Sequence, residues 1–496
     1  MSRGAKLSML AAAALMLAAA GPVGEPAFAP VQPELLGMPG SLSNAWADMD
    51  NDGDLDLAVS LKSGEIRLYR NDRGVLTSVG GAMGLPTAGG EFRALSWGDY
   101  DGDGWIDLLA GSSLPEKPSA VFRNRAGKSF VDVAAGIGLT IPGRSSRQNN
   151  WIDYDNDGDL DLYATNRMGP NRLFRNDGGK FVQVFADGGP TVFRSTVGAC
   201  WLDYDKDGDL DLFLANQSGK ADSLYRNDGT AFVDVAPQLS MDKPARGPED
   251  GGVGCAVGDY DNDGNLDIFV PNYGHNTLWK GDGKGGFVNV AQAMGVGVEN
   301  HAVGAAWGDY DNDGYLDLSV MSYEGAPGQQ TPKDALFHNE GGKGFVNVLK
   351  AGGPLDAGDH GVTWVDYDRD GAVDLSVTRG YSPVGGHFLF RNLLPKARAR
   401  QSLQVTVLDA EGRFTQQGAE VRVFGAGGKL LGAGQVSTGG GYGALGATPV
   451  HFGLPGAAKV TVEVTFMSAS GRKAQTVRNV DVGAYAGRTL VVRRAR

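Results

Sequence analysis

The sequence predicts an all-β fold, a seven-bladed β-propeller followed by a small C-terminal β domain. Three observations lead there. An aspartate-rich loop recurs seven times at intervals of 50–57 residues. Each copy is flanked by short apolar strands joined at Gly and Asn turns. The strand missing after the last copy is found before the first.

The bulk composition agrees. The 496-residue chain contains 77 glycines, roughly twice the usual share of about 7%. No Gly-X-Y period is present, so the glycines point to many tight turns, not collagen. The hydrophobic share of 42% permits a substantial core.

Residues 1–20 read as a secretory signal. Arg3 and Lys6 precede the apolar run Leu7 to Ala20, and Ala18-Ala19-Ala20 offers small residues for cleavage. The run is short for a membrane span, and no later stretch is long enough. A secreted, periplasmic or cell-surface location is expected.

The repeat region is placed at 21–395. Its first copy reads Trp46-Ala47-Asp48-Met49-Asp50-Asn51-Asp52-Gly53-Asp54-Leu55-Asp56-Leu57. The leading aspartate returns at 99, 153, 203, 259, 309 and 366. An apolar strand follows each loop. A second ends in an Asn turn, as in Leu68-Tyr69-Arg70-Asn71, and a third follows, as in Phe130-Val131-Asp132-Val133. Four strands per repeat make a propeller blade, and such blades must pack on one another to bury both faces. The seventh copy stops at Leu389-Phe390-Arg391-Asn392, and Phe28-Ala29-Pro30-Val31 resembles its missing strand. Pro30 and Pro33 require that strand to lie at a sheet edge.

The loops carry Asp-x-Asp-x-Asp-Gly-x-x-Asp. Alternate residues of a tight loop point inward, so positions 1, 3 and 5 converge, Gly at position 6 makes the turn, and position 9 returns a carboxylate. Metal ligands are therefore expected at Asp48, Asp50, Asp52, Asp54 and Asp56; Asp99, Asp101, Asp103, Trp105 and Asp107; Asp153, Asp155, Asp157, Asp159 and Asp161; Asp203, Asp205, Asp207, Asp209 and Asp211; Asp259, Asp261, Asp263, Asn265 and Asp267; Asp309, Asp311, Asp313, Tyr315 and Asp317; and Asp366, Asp368, Asp370, Ala372 and Asp374. Position 7 varies from Asp to Trp, Asn, Tyr and Ala, which suits a backbone carbonyl ligand. An all-oxygen set wanting six to eight donors suits Ca²⁺. Zinc would want His or Cys, and an EF-hand would need Glu at position 12, where Val59 stands in the first loop. Seven aspartate-complete copies argue against mere acidic turns. About seven Ca²⁺ would nearly cancel the net charge of -13.

These residues resemble the FG-GAP/VCBS repeats of integrin α-chain propellers and of bacterial secreted proteins, over roughly 28–392. The resemblance implies structural calcium loops on blade hairpins.

Residues 396–496 are read as a separate β domain, with Lys396 to Arg400 as a linker open to limited proteolysis. Alternating strands appear at Leu403-Gln404-Val405-Thr406-Val407, Ala419-Glu420-Val421-Arg422-Val423 and Val460-Thr461-Val462-Glu463-Val464. With Ser437-Thr438-Gly439-Gly440-Gly441-Tyr442 and His451-Phe452-Gly453-Leu454, they resemble the ASPIC/UnbV domain of bacterial and animal proteins related to cartilage acidic protein. Thr465-Phe466-Met467-Ser468 replaces the Trp-Pro-Ser-Gly type segment usual in that family, so no role of that tryptophan carries over.

Gly441-Tyr442-Gly443-Ala444-Leu445-Gly446 fits a dinucleotide-binding glycine pattern but lacks a βαβ context, and reads as a β-turn. Cys200 and Cys255 read as two small buried thiols; a disulfide is the minority reading. No hydrolase, zincin or P-loop motif is present, and the acidic balance argues against nucleic acid.

The expected function is a monomeric, non-catalytic calcium scaffold that recognises a protein or glycan. Two rivals are a lectin proper and a polysaccharide-acting enzyme such as a lyase. Uniform loops argue against catalysis, because an active site breaks symmetry. Recognition is assigned to the variable segments Gly111–Ala120, Met241–Gly252 and Glu324–Asp334.

Overall fold

A computed structural model describes residues 26–143, 146–185, 188–242, 246–323, 334–350, 352–356, 360–380 and 385–496. The expected signal at 1–20 lies outside them. The described residues form an all-β structure.

Each repeat yields one four-stranded antiparallel sheet that resembles a propeller blade. In the first, Ser41–Ala47 runs into the Asp loop, Asp56–Leu61 leaves it, and Ile66–Asp72 and Val75–Ser78 follow outward. The innermost strand is buried throughout and the outermost is mostly exposed. Six further sheets repeat this order. Apolar clusters lie between neighbouring sheets, and one joins Trp46, Leu57 and Tyr69 of the first to Val365, Tyr367 and Leu389 of the last. The array therefore closes on itself.

The N-terminal strand completes the closure as expected. Phe28–Pro30 pairs antiparallel with His387–Asn392, with Phe28 opposite Asn392 and Pro30 opposite Phe390. It is an edge strand, where Pro is tolerated.

The turn asparagines fasten each sheet to the one before. Asn124 Nδ2 donates to Met49 O at 2.8 Å, Asn176 Nδ2 to Tyr100 O at 2.8 Å and Asn227 Nδ2 to Tyr154 O at 2.8 Å. Asn71 Nδ2 closes the circle by donating to Tyr367 O at 2.8 Å. The fifth repeat has Gly281 at this position and lacks the bond.

Cys200 and Cys255, on the innermost strand of the fourth repeat and just before that of the fifth, form a disulfide with Cα atoms 6.2 Å apart. The reading of two free thiols is corrected. The two positions differ by one residue in their distance from the loop, but the two inner strands lie side by side.

The C-terminal residues form two sheets over one valine-rich core that includes Val405, Val421, Val462 and Val464. They are not held by a bare linker. Lys396–Ala399 is a short helix, and Asn312 Nδ2 donates to Ala399 O at 3.2 Å. This unit sits on the Asp-loop end: Gln404 Nε2 donates to Asp366 Oδ2 at 2.5 Å, Arg422 Nη2 to Gly264 O at 3.2 Å and Arg472 Nη1 to Asp203 Oδ2 at 2.5 Å.

From there the glycine-rich segment enters the space enclosed by the inner strands. Trp201 N donates to Thr438 Oγ1 at 3.0 Å, Gly441 N to Ala305 O at 3.1 Å, Leu95 N to Gly443 O at 3.2 Å and Ala447 N to Trp46 O at 2.8 Å. Asn150 and Val362 add further bonds, so six of the seven repeats grip this plug. The glycines are required by space: a Cβ on Gly443 would lie 2.7 Å from Arg93 O, and its φ is +71°. The expected turn is present, and it continues as Ala444–Leu445, a short strand parallel to Leu95 and Ser96.

Candidate functional site

The loop architecture follows the sequence pattern closely. Positions 1, 3 and 9 converge: Asp48, Asp50 and Asp56 bring carboxylate oxygens within 4.8 Å of one another, as do Asp99, Asp101 and Asp107, Asp153, Asp155 and Asp161, and Asp203, Asp205 and Asp211. Position 1 also closes the loop: Asp48 accepts from Asp52 N at 3.1 Å and Gly53 N at 2.9 Å. Position 9 ties the loop to the strands, since Asp56 accepts from Asn71 N at 2.8 Å and Met49 N at 3.0 Å.

Positions 5 and 7 form a small turn of their own. Asp54 N donates to Asp52 Oδ1 at 2.8 Å, and Trp105, Asp159, Asp209, Asn265, Tyr315 and Ala372 repeat this bond to their position-5 aspartates. The position-7 side chain varies because the common element is its backbone.

The residues fit a hard cation. Oδ1 of Asp50, Asp101, Asp155, Asp205, Asp261 and Asp368 is buried without a hydrogen-bond partner. Six orphaned oxygens at the same loop position, each beside further carboxylates, form the donor set calcium takes. The electrostatics agree. Burial, and then the neighbouring loop aspartates, push Asp48 up to about 6 and Asp153 to about 7. Burial raises Asp56 to about 8 and Asp107 to about 9 against backbone donors that oppose it. A bound divalent cation would offset this cost.

Adjacent loops are linked through position 4, save the second to the third, where that position is Gly102. The position-4 residue adopts positive φ in each loop, as at Asn51 (59°) and Asn156 (61°). Asn51 Nδ2 donates to Gly104 O at 3.1 Å and Asn156 Nδ2 to Gly208 O at 3.2 Å, while Arg369 Nη1 meets Asp54 Oδ1 at 3.1 Å to join last to first.

The loops are less uniform than the sequence suggested. In the first, second and seventh repeats the arginine before the turn asparagine pairs with the loop, Arg70 with Asp50 at 2.9 Å, Arg123 with Asp101 at 2.7 Å and Arg391 with Asp368 at 2.8 Å, whereas Arg175 and Arg226 pair with Asp177 and Asp228 of their own turns. In the sixth repeat this residue is His338, whose Nδ1 lies 3.2 Å from Asp317 Oδ1 and 3.9 Å from Asp311 Oδ2. The repeated Arg-Asn dipeptide was the signal for this role.

Sequence reasoning missed a second site. Inner strands enter their Asp loops at their C-terminal ends, and a cavity of about 510 Å³ opens where those strands begin, at the opposite end of the channel. Arg93, Arg147 and Arg167 line one part. The rest holds a chain of rings: Tyr273 stacks on His301 at 3.7 Å, Tyr323 follows at 6.2 Å, His360 lies 5.9 Å from Tyr323, and Tyr442 of the plug 5.5 Å from His360. Of the variable segments, Met241–Gly252 contributes Glu249 to this cavity, and residues 324–333 lie outside the described ones.

The sequence profile of the FG-GAP-like repeat matches residues 48–110, 99–164, 153–214, 203–270 and 259–320, an unbroken span over more than half the chain. Cartilage acidic protein 1 of Mus musculus is 26% identical over 159 residues, 31% of this chain and 25% of that protein. Its Xenopus tropicalis counterpart is 28% identical over 204 residues, 40% of this chain and 31% of that protein. The chain thus matches a quarter to a third of the length of these relatives. An Agrocybe aegerita lectin specific for non-reducing terminal N-acetylglucosamine aligns over 91% of this chain and 94% of its own, at 14% identity and a TM-score of 0.40.

Proposed function

We propose that this chain, which belongs to the FG-GAP-like repeat family, is a calcium-loaded seven-bladed propeller that recognises a protein or glycan ligand without catalysing a reaction. It works outside the cytoplasm, secreted, periplasmic or at the cell surface, and its C-terminal residues 396–496 are an ASPIC/UnbV-type domain.

One observation carries this reading. The metal-binding chemistry and the cavity stand at opposite ends of the channel, with the plug between them. Calcium at one end would be separated by the plug from a ligand at the other, so its role is to hold the loops and, through the bonds between loops, the ring. The position-1 and position-9 carboxylates support this, since they are engaged by backbone N–H groups and by the metal cluster at once.

The test is a glycan-array and pull-down screen with the calcium-loaded full chain, repeated for Asp155→Ala. Ligand capture by wild type, and unchanged affinity in whatever folded Asp155→Ala remains, supports the reading. Turnover of a captured ligand that disappears in Asp155→Ala without loss of stability would contradict it.

A further inference from the structure

We infer that the cavity at the channel mouth binds an acidic carbohydrate, a sugar ring bearing a carboxylate; this deepens the recognition reading above and rests on it.

The chemistry of the lining is two-sided. Arg93 and Arg147 stand at the start of the innermost strands of the second and third repeats, and Arg167 follows the second strand of the third. Three guanidiniums converge in a protein of net charge -13. Glu249 is the carboxylate among the lining residues, and Glu91 pairs with Arg93 at 2.6 Å. Arginine forks bind carboxylates in a bidentate, planar manner that fixes orientation as well as charge.

The other side, from the fifth to seventh repeats, is aromatic. Tyr273, His301, Tyr323 and His360 form a continuous run of ring contacts that ends on Tyr442. Aromatic faces accept apolar C–H surface, and the tyrosine hydroxyls, Gln217 and Glu249 offer partners for hydroxyl groups. A bare oxyanion would leave the aromatic side unused. A neutral sugar would not use the guanidinium forks as a carboxylate does. A carboxylated sugar uses both. The volume of about 510 Å³ falls in the range of small-ligand sites. Tyr442 gives the C-terminal unit a direct part in the site.

The test is calorimetric titration of the calcium-loaded full chain with a galacturonate trisaccharide, a neutral galactose trisaccharide and inorganic sulfate. The acidic trisaccharide should bind about tenfold more tightly than the neutral one, and added salt should weaken it. Arg167→Ala and Tyr323→Ala should each lose about tenfold or more in affinity at an unchanged melting temperature; Arg167→Gln replaces the first if it does not fold. Equal binding of the neutral sugar overturns the proposal. So does full competition by sulfate with Tyr323→Ala silent, and so does no binding of any probe. If a ligand captured in the screen binds both variants as it binds wild type, recognition stands and this cavity is not its site. If the screen captures nothing, the recognition reading itself fails. Release of an unsaturated uronate would support the ligand class and overturn the non-catalytic reading.

Discussion

At Asp155 a buried carboxylate oxygen has no hydrogen-bond partner and faces Asp153 and Asp161. Asp155→Ala should therefore act in opposite directions with and without metal. In calcium it removes a ligand, so the bound-metal count falls by about one per chain and the melting temperature drops. In chelator it removes one charge from a crowded cluster, and the melting temperature should hold or rise. A drop of equal size in both conditions would contradict the metal role. The raised carboxyls set a pH dependence of definite sign. Asp56 and Asp107 sit at about 8 and 9 when folded, above their ordinary 3.8. Such groups favour folding while protonated, and that contribution is lost as pH rises through the folded pKa. The chelated protein should melt higher at about pH 5 than at about pH 8. Calcium competes with those protons and should reverse the order.

At the level of elements, the turn asparagines, the closing strand and the plug hold the ring. Asn176→Ala leaves the carbonyls of Tyr100 and Leu160 without this donor and should cost about 1–3 kcal/mol, read by chemical denaturation. Deleting Phe28 to Met38 removes the edge strand and the buried Leu36, and should destabilise the whole array, since neighbouring sheets share cores. Much of this was legible in the sequence. The loop spacing gave the repeats, and the resemblance of Phe28-Ala29-Pro30-Val31 to the third strands gave the closure. The plug was not legible. Thr438 to Ala447 has the local look of a turn because its partners, such as Trp46, Leu95 and Trp201, are hundreds of residues away and nothing near it in the chain encodes them. The docked junction also changes the expectation for proteolysis. A cut between 393 and 402 should leave the C-terminal fragment bound under native conditions and release it only on denaturation.

On the scale of the whole molecule, closure makes sites from distant residues. The channel-mouth cavity gathers side chains from Arg93 to Tyr442, and no window of sequence holds two of its arginines next to one of its tyrosines. The Asp loops were legible because each is complete within nine residues; the cavity was not, because it exists only once the ring is closed and plugged. The loops are linked at one end, from Asn51 reaching the second loop to Arg369 reaching back to the first, with a gap at Gly102, which has no side chain to reach the third. Calcium at each should thus stabilise the ring as a unit. A site held at 100 times its dissociation constant contributes about 2.7 kcal/mol, so several coupled sites should dominate the stability of the calcium-loaded protein.

That dependence is the most direct point of test. The full chain is dialysed against calcium, its bound metal is counted by mass spectrometry, and its melting curve is recorded before and after excess EDTA. About seven calcium ions per chain and a marked fall in melting temperature on chelation, restored by calcium and not by magnesium, are predicted. A protein that carries no calcium and melts identically in EDTA would show that the aspartate loops hold the ring without metal.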